Sequence, residues 1–266
     1  MNYADLTLGT WYPKGGMVQI AHAMQSLCEE LGVNFELNAN VTHIDIDSGM
    51  ANSIEVNGTH RAFDAVVGSA DYHHIETQLL EPKYRQYSES YWDKRTLAPS
   101  SLIFYLGVDK KIPNLTHHNL FFDTDFSLHA KEIYDTKSWP SNPLFYTCVT
   151  SKTDQTAPEG CENLFVLIPV ATDLTSDDAL RERYYNMVMD RLEHRTKTDI
   201  RSHVIYKRSY AHSEFISDYN SFKGNAYGLA NTLKQTAHLK PKIRSKKVKN
   251  LFYCGQLTVP GPGVPP

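Results

Sequence analysis

The last fifteen residues of this 266-residue chain constrain its fold most strongly. An apolar run at 252–254 is followed by Gly255 and then by a segment rich in proline and glycine that ends in Pro265 and Pro266. Prolines in the first turn of a helix cost no hydrogen bond, because those N–H groups have no partner within the helix. The positive end of such a helix favours an anion or an electron-rich ring. The sequence therefore predicts a strand, a glycine turn that meets a ligand, and a helix entrance.

A helix and a hairpin are predicted near the start of the chain. Apolar residues recur at helical spacing over 17–31, and Gly32 follows where a left-handed C-terminal cap belongs. The pair Asn57 and Gly58 lies between two strand-like runs and predicts a two-residue type I′ turn, because both central positions need positive φ.

Further elements follow from alternating or continuous apolar runs. Strands are predicted at 34–37, 41–47, 65–68, 100–106, 120–123, 144–149, 164–170 and 251–254. A second long helix is predicted over 177–194, with Ser176 or Thr175 as its N-cap.

Three stretches carry a family resemblance. They are GTWYPKGGM at 9–17, DYNSFKGNAYGLANTLKQTA at 218–237 and GQLTVPGPGVPP at 255–266. Through them the chain resembles the bacterial-type phytoene and carotenoid desaturases of the flavin amine oxidase superfamily. No G-x-G-x-x-G follows a predicted strand, so the resemblance implies a fragment that lacks the N-terminal FAD-binding unit and the C-terminal helix of that family.

The resemblance implies an α/β fold, of mixed α+β character, in two parts. Residues 1–71 are expected to form the returning part of a partial Rossmann-like FAD-binding domain. Residues 72–245 are expected to form a substrate-binding domain with a mixed β-sheet and helices. Residues 246–266 then return to the FAD-binding domain, which is truncated there.

The cofactor implied by the resemblance is FAD. Its expected contacts are Gly15, Gly16, Val41, Ala70, Asp71, Gly255, Gln256, Gly261, Pro262, Gly263 and Val264. From the residues alone other interpretations stay open: Gly15 and Gly16 also suit a simple tight turn, and Val41 also suits a buried sheet position. Asp71 equally suits the cap of the next helix. Gln256 replaces the acid that the superfamily has, and it both donates and accepts hydrogen bonds where an acid only accepts.

Substrate contacts are expected at Trp11, Tyr12 and Tyr227 by resemblance, and for Tyr227 a structural role in joining the domains is equally open. The implied reaction is FAD-dependent desaturation of a carotenoid precursor such as phytoene, a step of carotenoid biosynthesis on a long apolar polyene. The cofactor performs the redox chemistry, so no catalytic acid or base is assigned. Two alternatives stay open: a carotenoid isomerase or saturase-like flavoenzyme, and a non-catalytic lipid-binding fragment.

Composition and spacing argue against other classes. A net charge of −3 with both signs spread along the chain gives no nucleic-acid footprint. Four cysteines without C-x-x-C spacing and the lack of a signal-peptide pattern predict a cytoplasmic location. No metal is expected, because adjacent histidines, as in His73-His74 and His117-His118, point apart on a regular strand or helix.

Six basic residues lie between 240 and 249, and they suit either a solvated loop or a peripheral contact with an anionic membrane.

Overall fold

The computed structural model describes residues 7–9 and 11–261. The described strands are β1 (Val41–Asp47), β2 (Met50–Val56), β3 (Thr59–Ala62), β4 (Val66–Gly68), β5 (Ser100–Val108), β6 (His118–Phe121), β7 (Phe145–Cys148), β8 (Glu162–Val170), β9 (Val204–Tyr210) and β10 (Leu251–Tyr253). The described α-helices are α1 (Val18–Glu30), α2 (Tyr72–His74), α3 (Glu89–Asp93), α4 (Phe126–Tyr134), α5 (Asp178–Thr196) and α6 (His212–Tyr219). A π-helical turn at Ile75–Leu79 continues α2.

Strands β1, β2 and β3 form an antiparallel sheet, and the predicted hairpin is confirmed. Asn57 and Gly58 have φ values of 49° and 78°, as a type I′ turn requires. The strand predicted at 34–37 is wrong: this segment is irregular, and Asn38 at φ 56° turns the chain away from an extended path. Phe35 and Leu37 are exposed there, so no sheet face holds them.

A small parallel sheet joins two distant parts of the chain. Strand β10 pairs with β4 in the register Leu251↔Val66 to Tyr253↔Gly68. Asn250 anchors this junction, because its side-chain amide accepts from the N–H of Ala51 and donates to the carbonyl oxygens of Ala51 and Asp64. The start of β10 is thereby fixed against β2 and the segment that precedes β4.

The third sheet has five strands in the order β6-β7-β8-β5-β9. The α/β class is confirmed, but the sheet predicted as mixed is antiparallel in every pairing. The sequence prediction missed β9, an edge strand whose middle residues, among them Lys207 and Arg208, are exposed. The N-cap of α5 is Asp177, which accepts from the N–H of Leu180 at 2.7 Å, instead of Ser176 or Thr175.

The buried apolar residues form two separate cores. One core is built from residues 44–97 and 229–257 and includes Trp92 and Tyr253. The other spans residues 102–211 and packs α5, through Tyr184 and Leu192, against the five-stranded sheet. The domain boundaries at 71 and 245 stay a prediction. Among the described residues, no helix has both the length and the apolar character needed to cross a bilayer.

Candidate cofactor site

A cavity of ≈ 390 Å³ lies where β4 and β10 end. Its lining residues are Ser69, Ala70, Asp71, Tyr72, Phe215, Tyr219, Ser221, Asn225, Ala226, Cys254, Gly255, Gln256 and Leu257. The N–H of Cys254 donates to the carbonyl oxygen of Gly68 at 3.0 Å, so the two strands stay together up to the cavity. Ligands of α/β proteins bind outside the carboxyl ends of parallel strands, and this cavity occupies that position. Its volume is in the range of small-molecule sites.

Asp71 ties one wall of the cavity together. One carboxylate oxygen accepts from the N–H of His74 at 3.2 Å, which makes Asp71 the N-cap of α2. The other oxygen accepts from the N–H of Phe222 at 3.1 Å. Burial raises the pKa of this carboxyl, and the two N–H donors oppose that rise. The helix-cap interpretation of Asp71 is therefore confirmed, and its position on the cavity wall is compatible with a ligand contact as well.

A buried asparagine holds the opposite wall. The side-chain oxygen of Asn225 accepts from the N–H of Gly228 at 2.8 Å and from the side-chain nitrogen of Gln256 at 2.9 Å. Its amide nitrogen donates to the carbonyl oxygen of Phe222 at 2.7 Å. Gly228 has φ 74°, and a Cβ added there would lie 2.4 Å from the backbone oxygen of Gln256. The segment 225–228 is therefore locked against the turn that follows β10.

The buried carboxyl of Glu76 and the stacked rings of Tyr72 and Tyr253 hold β10 in place. The Tyr72 and Tyr253 rings stack with centroids 3.8 Å apart. Glu76 is fully buried and accepts from the Tyr253 hydroxyl at 3.1 Å and from the N–H groups of Gln86 and Tyr87. Burial raises the pKa of Glu76. These contacts fix the end of β10 beneath the cavity.

Four residues predicted as cofactor contacts meet in this cavity: Ala70, Asp71, Gly255 and Gln256. Gly255 has φ 115°, a conformation that favours glycine, and a Cβ there would come no closer than 3.8 Å to the carbonyl oxygen of Ser69. The backbone at Gly255 is thus open to the cavity.

Other predicted residues lie elsewhere, and their roles stay predictions. The N–H of Gly15 donates to Asp154 at 2.7 Å, and Val41 begins β1, packed against the first core. Gly16 is partly buried and follows an exposed turn at Lys14 and Gly15, and Gly261 lies beside the Lys240 side chain. Pro262, Gly263 and Val264 are outside the described residues.

The three predicted substrate contacts are also separate from the lining of the cavity, as far as the structure describes it. Trp11 is 87% exposed, and Tyr12 meets the His117 ring edge-on at 4.7 Å. Tyr227 is half exposed between Ala226, which lines the cavity, and Gly228. Their substrate role stays a prediction.

Sequence reasoning missed most of the remaining wall. Phe215 and Tyr219 come from α6, and Ser221 and Asn225 come from the loop that follows it. The segment 218–237 carried the strongest resemblance, and the two polar residues within it were the signal available. Their roles depend on backbone partners that only the fold supplies.

Comparisons with known proteins identify the family. A family model described as "Flavin containing amine oxidoreductase" matches residues 1–261. A carotenoid 3,4-desaturase of Haloarcula japonica is 41% identical over 268 residues, which cover 100% of this chain and 54% of that protein. A zeta-carotene-forming phytoene desaturase of Myxococcus xanthus is 30% identical over 99% of this chain and 51% of its own length. The chain spans about half the length of these relatives.

Solved structures share the fold. An oxidoreductase from Methanosarcina mazei superposes with a TM-score of 0.60 at 14% identity and covers 91% of this chain and 49% of its own. A reduced UDP-galactopyranose mutase superposes with a TM-score of 0.52 at 16% identity, over 75% of this chain and 40% of its own. At these identities the likeness shows the fold alone.

Proposed function

The chain belongs to the flavin-containing amine oxidoreductase family, and we propose that the whole protein is an FAD-dependent desaturase of a carotenoid precursor such as phytoene. The observation that carries this proposal is the cavity at the ends of β4 and β10, which gathers Ala70, Asp71, Gly255 and Gln256 in a flavin-family chain. The relatives named for carotenoid and phytoene desaturation support the substrate class.

The residues at the cavity fit a dinucleotide cofactor. Gly255 presents backbone without a side chain, and Gln256 offers both donor and acceptor capacity toward polar groups of a ligand. Asn225 holds the Gln256 side chain at 2.9 Å and so sets its orientation before a ligand arrives. We propose that Gly255 and Gln256 hold the FAD, and that Ala70 and Asp71 lie beside its nucleotide portion.

When bound, FAD would supply the two-electron oxidation: it would accept the hydride equivalent that leaves one carbon of a saturated C–C bond, while the neighbouring carbon releases a proton. This chain's own residues bind and orient the substrate, and they exclude water from it. Both oxygens of the Asp71 carboxylate accept hydrogen bonds from backbone N–H groups, so we assign Asp71 the role of positioning the cavity wall. Phe215 and Tyr219 give one wall an apolar surface, which suits a polyene or the edge of the flavin ring.

The test is expression of the full-length gene in a host that accumulates phytoene, with absorption and mass spectra of the pigments. We expect a longer chromophore and the loss of two hydrogens per new double bond. The variant N225A should lose flavin and product together, because it releases Gln256. The matched control N142A changes an exposed asparagine and should retain both.

Other outcomes decide between the alternatives. A changed chromophore with unchanged mass would favour a carotenoid isomerase, and a gain of hydrogen would favour a saturase-like enzyme. A purified full-length protein without flavin absorbance would leave the lipid-binding alternative and overturn the proposal.

We also propose a cytoplasmic protein that contacts an anionic membrane from one side. Of the basic run, Arg244, Lys246, Lys247 and Lys249 are exposed, whereas Lys240 is buried and adds nothing to the surface. Each exposed cation near anionic lipid contributes about 1 kcal/mol, screened over about 8 Å at physiological salt. Co-sedimentation should require vesicles with anionic lipid and weaken with added salt. Binding that ignores both would favour a solvated loop.

A further inference from the structure

Three metal-ligating side chains lie together at one end of the five-stranded sheet. A ring nitrogen of His117, a ring nitrogen of His118 and the sulfur of Cys148 lie within 4.8 Å of one another. His118 and Cys148 are direct cross-strand partners in β6 and β7, so their side chains share one face of the sheet. This cluster is separate from the residues that line the cofactor cavity.

The two histidines are brought together by a bend. His117 precedes β6, whose first residue is His118. Adjacent residues within a strand would point to opposite faces, but the bend at His117 turns its ring back, and the two imidazole centroids are 4.3 Å apart. The spacing argument against a ligand pair therefore does not apply here.

Each imidazole is oriented by a hydroxyl. Nδ1 of His117 is 2.6 Å from Oγ1 of Thr153, and Nδ1 of His118 is 2.6 Å from the Tyr146 hydroxyl. Within the described part of the chain, Nε2 of His117 is buried and has no hydrogen-bond partner. A buried nitrogen without a partner is costly, and metal-ligating histidines characteristically engage their other nitrogen in this way.

We propose that His117, His118 and Cys148 bind Zn²⁺. Two imidazoles and a thiolate suit this borderline-soft ion, which leaves a fourth tetrahedral position for water or another ligand. Zn–N and Zn–S bonds of about 2.0 and 2.3 Å place neighbouring ligand atoms about 3.5 Å apart. Rotamer adjustment of the exposed His118 can bring the present separation, within 4.8 Å, to that value.

The site also has a structural consequence. Tyr12 packs edge-on against His117, and Gly15 in the same loop donates to Asp154, one residue beyond Thr153. A bound ion would hold His117 in place and thereby fix the loop at 12–15 against the end of the sheet. The proposed site is thus a clamp for the loop.

The test is metal binding by the purified, reduced chain after removal of metals with a chelator. We expect one equivalent of Zn²⁺, and with Co²⁺ a thiolate-to-metal charge-transfer band that requires Cys148. C148S should abolish the band, and H118Q should weaken Zn²⁺ binding at least tenfold. The controls C161S and H194Q alter residues outside the cluster and should bind as the unmodified chain does.

A second measurement separates ligation from folding. T153V removes the partner of His117 and leaves the three ligands, so it should weaken binding by about 10- to 100-fold. H118Q changes an exposed side chain, and an unchanged circular dichroism spectrum would show that it folds. Equal Zn²⁺ affinity in H118Q, C148S and the controls, or a Co²⁺ spectrum without the charge-transfer band, would overturn the proposal.

Discussion

Substitution of Gly228 by alanine should dislodge the turn that forms the cavity wall. The added Cβ would lie 2.4 Å from the carbonyl oxygen and 2.8 Å from the carbonyl carbon of Gln256, distances that folded proteins do not hold. Both neighbours are backbone atoms, so a side-chain rotation cannot relieve the clash. The chain must move at 228 or at 256, and either shift strains the Asn225 hydrogen bonds to Gly228 and Gln256.

The size of the effect follows from two contributions. The left-handed conformation at φ 74° costs a non-glycine residue about 1–2 kcal/mol. Overpacking against fixed atoms adds about 1–3 kcal/mol. G228A should therefore lower the free energy of unfolding by about 2–5 kcal/mol.

A matched control isolates the clash. Gly160 has φ 78°, and among the described residues beyond 159–161 no heavy atom lies within 4 Å of a Cβ built there. G160A should therefore lose only the backbone contribution, about 1–2 kcal/mol. Urea unfolding followed by tryptophan fluorescence measures both, since Trp92 is buried in the core that includes Leu229. Equal losses in the two variants would refute the contact between 228 and 256.

Three further predictions use the same urea assay. N250A should cost about 1–3 kcal/mol for each backbone group of Ala51 or Asp64 that it leaves buried and unpaired, and retention of full stability would remove the anchoring role of Asn250. Burial lowers the pKa of Lys240 below its ordinary value of 10.5. Between that lowered pKa and 10.5 the unfolded chain binds more protons than the folded chain, so the free energy of unfolding of the wild type should rise with pH relative to that of K240M. A difference between the two proteins that stays constant over this pH range would contradict this. D177A should cost about 1 kcal/mol through the lost helix cap, and S176A, beside it, should cost less than D177A.

Sequence signals recovered the elements whose geometry is set locally. The Asn57-Gly58 turn follows from the need for positive φ, and α5 follows from apolar spacing. Strand β9 escaped prediction because it is an edge strand with exposed middle residues, and its pairing with β5 supplies what its sequence does not. The segment 34–37 shows the converse, since its alternating pattern finds no neighbouring strand.

The candidate site divides in the same way. Gly255 and Gln256 were identifiable because the segment 255–266 carries the family resemblance. Asn225 acts through contacts with Gln256 and Gly228, and its importance depends on how residues 225–228 meet the turn after β10. The arrangement of His117 beside His118 depends on a single bend before β6, and no residue pattern predicts that bend.

The pairing of β4 with β10 also sets the order of events during synthesis. Most of the chain separates the two strands, so closing this contact carries the entropy cost of a very long loop and is a late step of folding. A ribosome makes about 5–20 residues per second, and β10 emerges well after the five-stranded sheet has been made. Until then Asp71 and its neighbours border no cavity. The cavity can therefore form only after β10 has been made, and until then the other core, around Tyr184, is the one whose residues are all present.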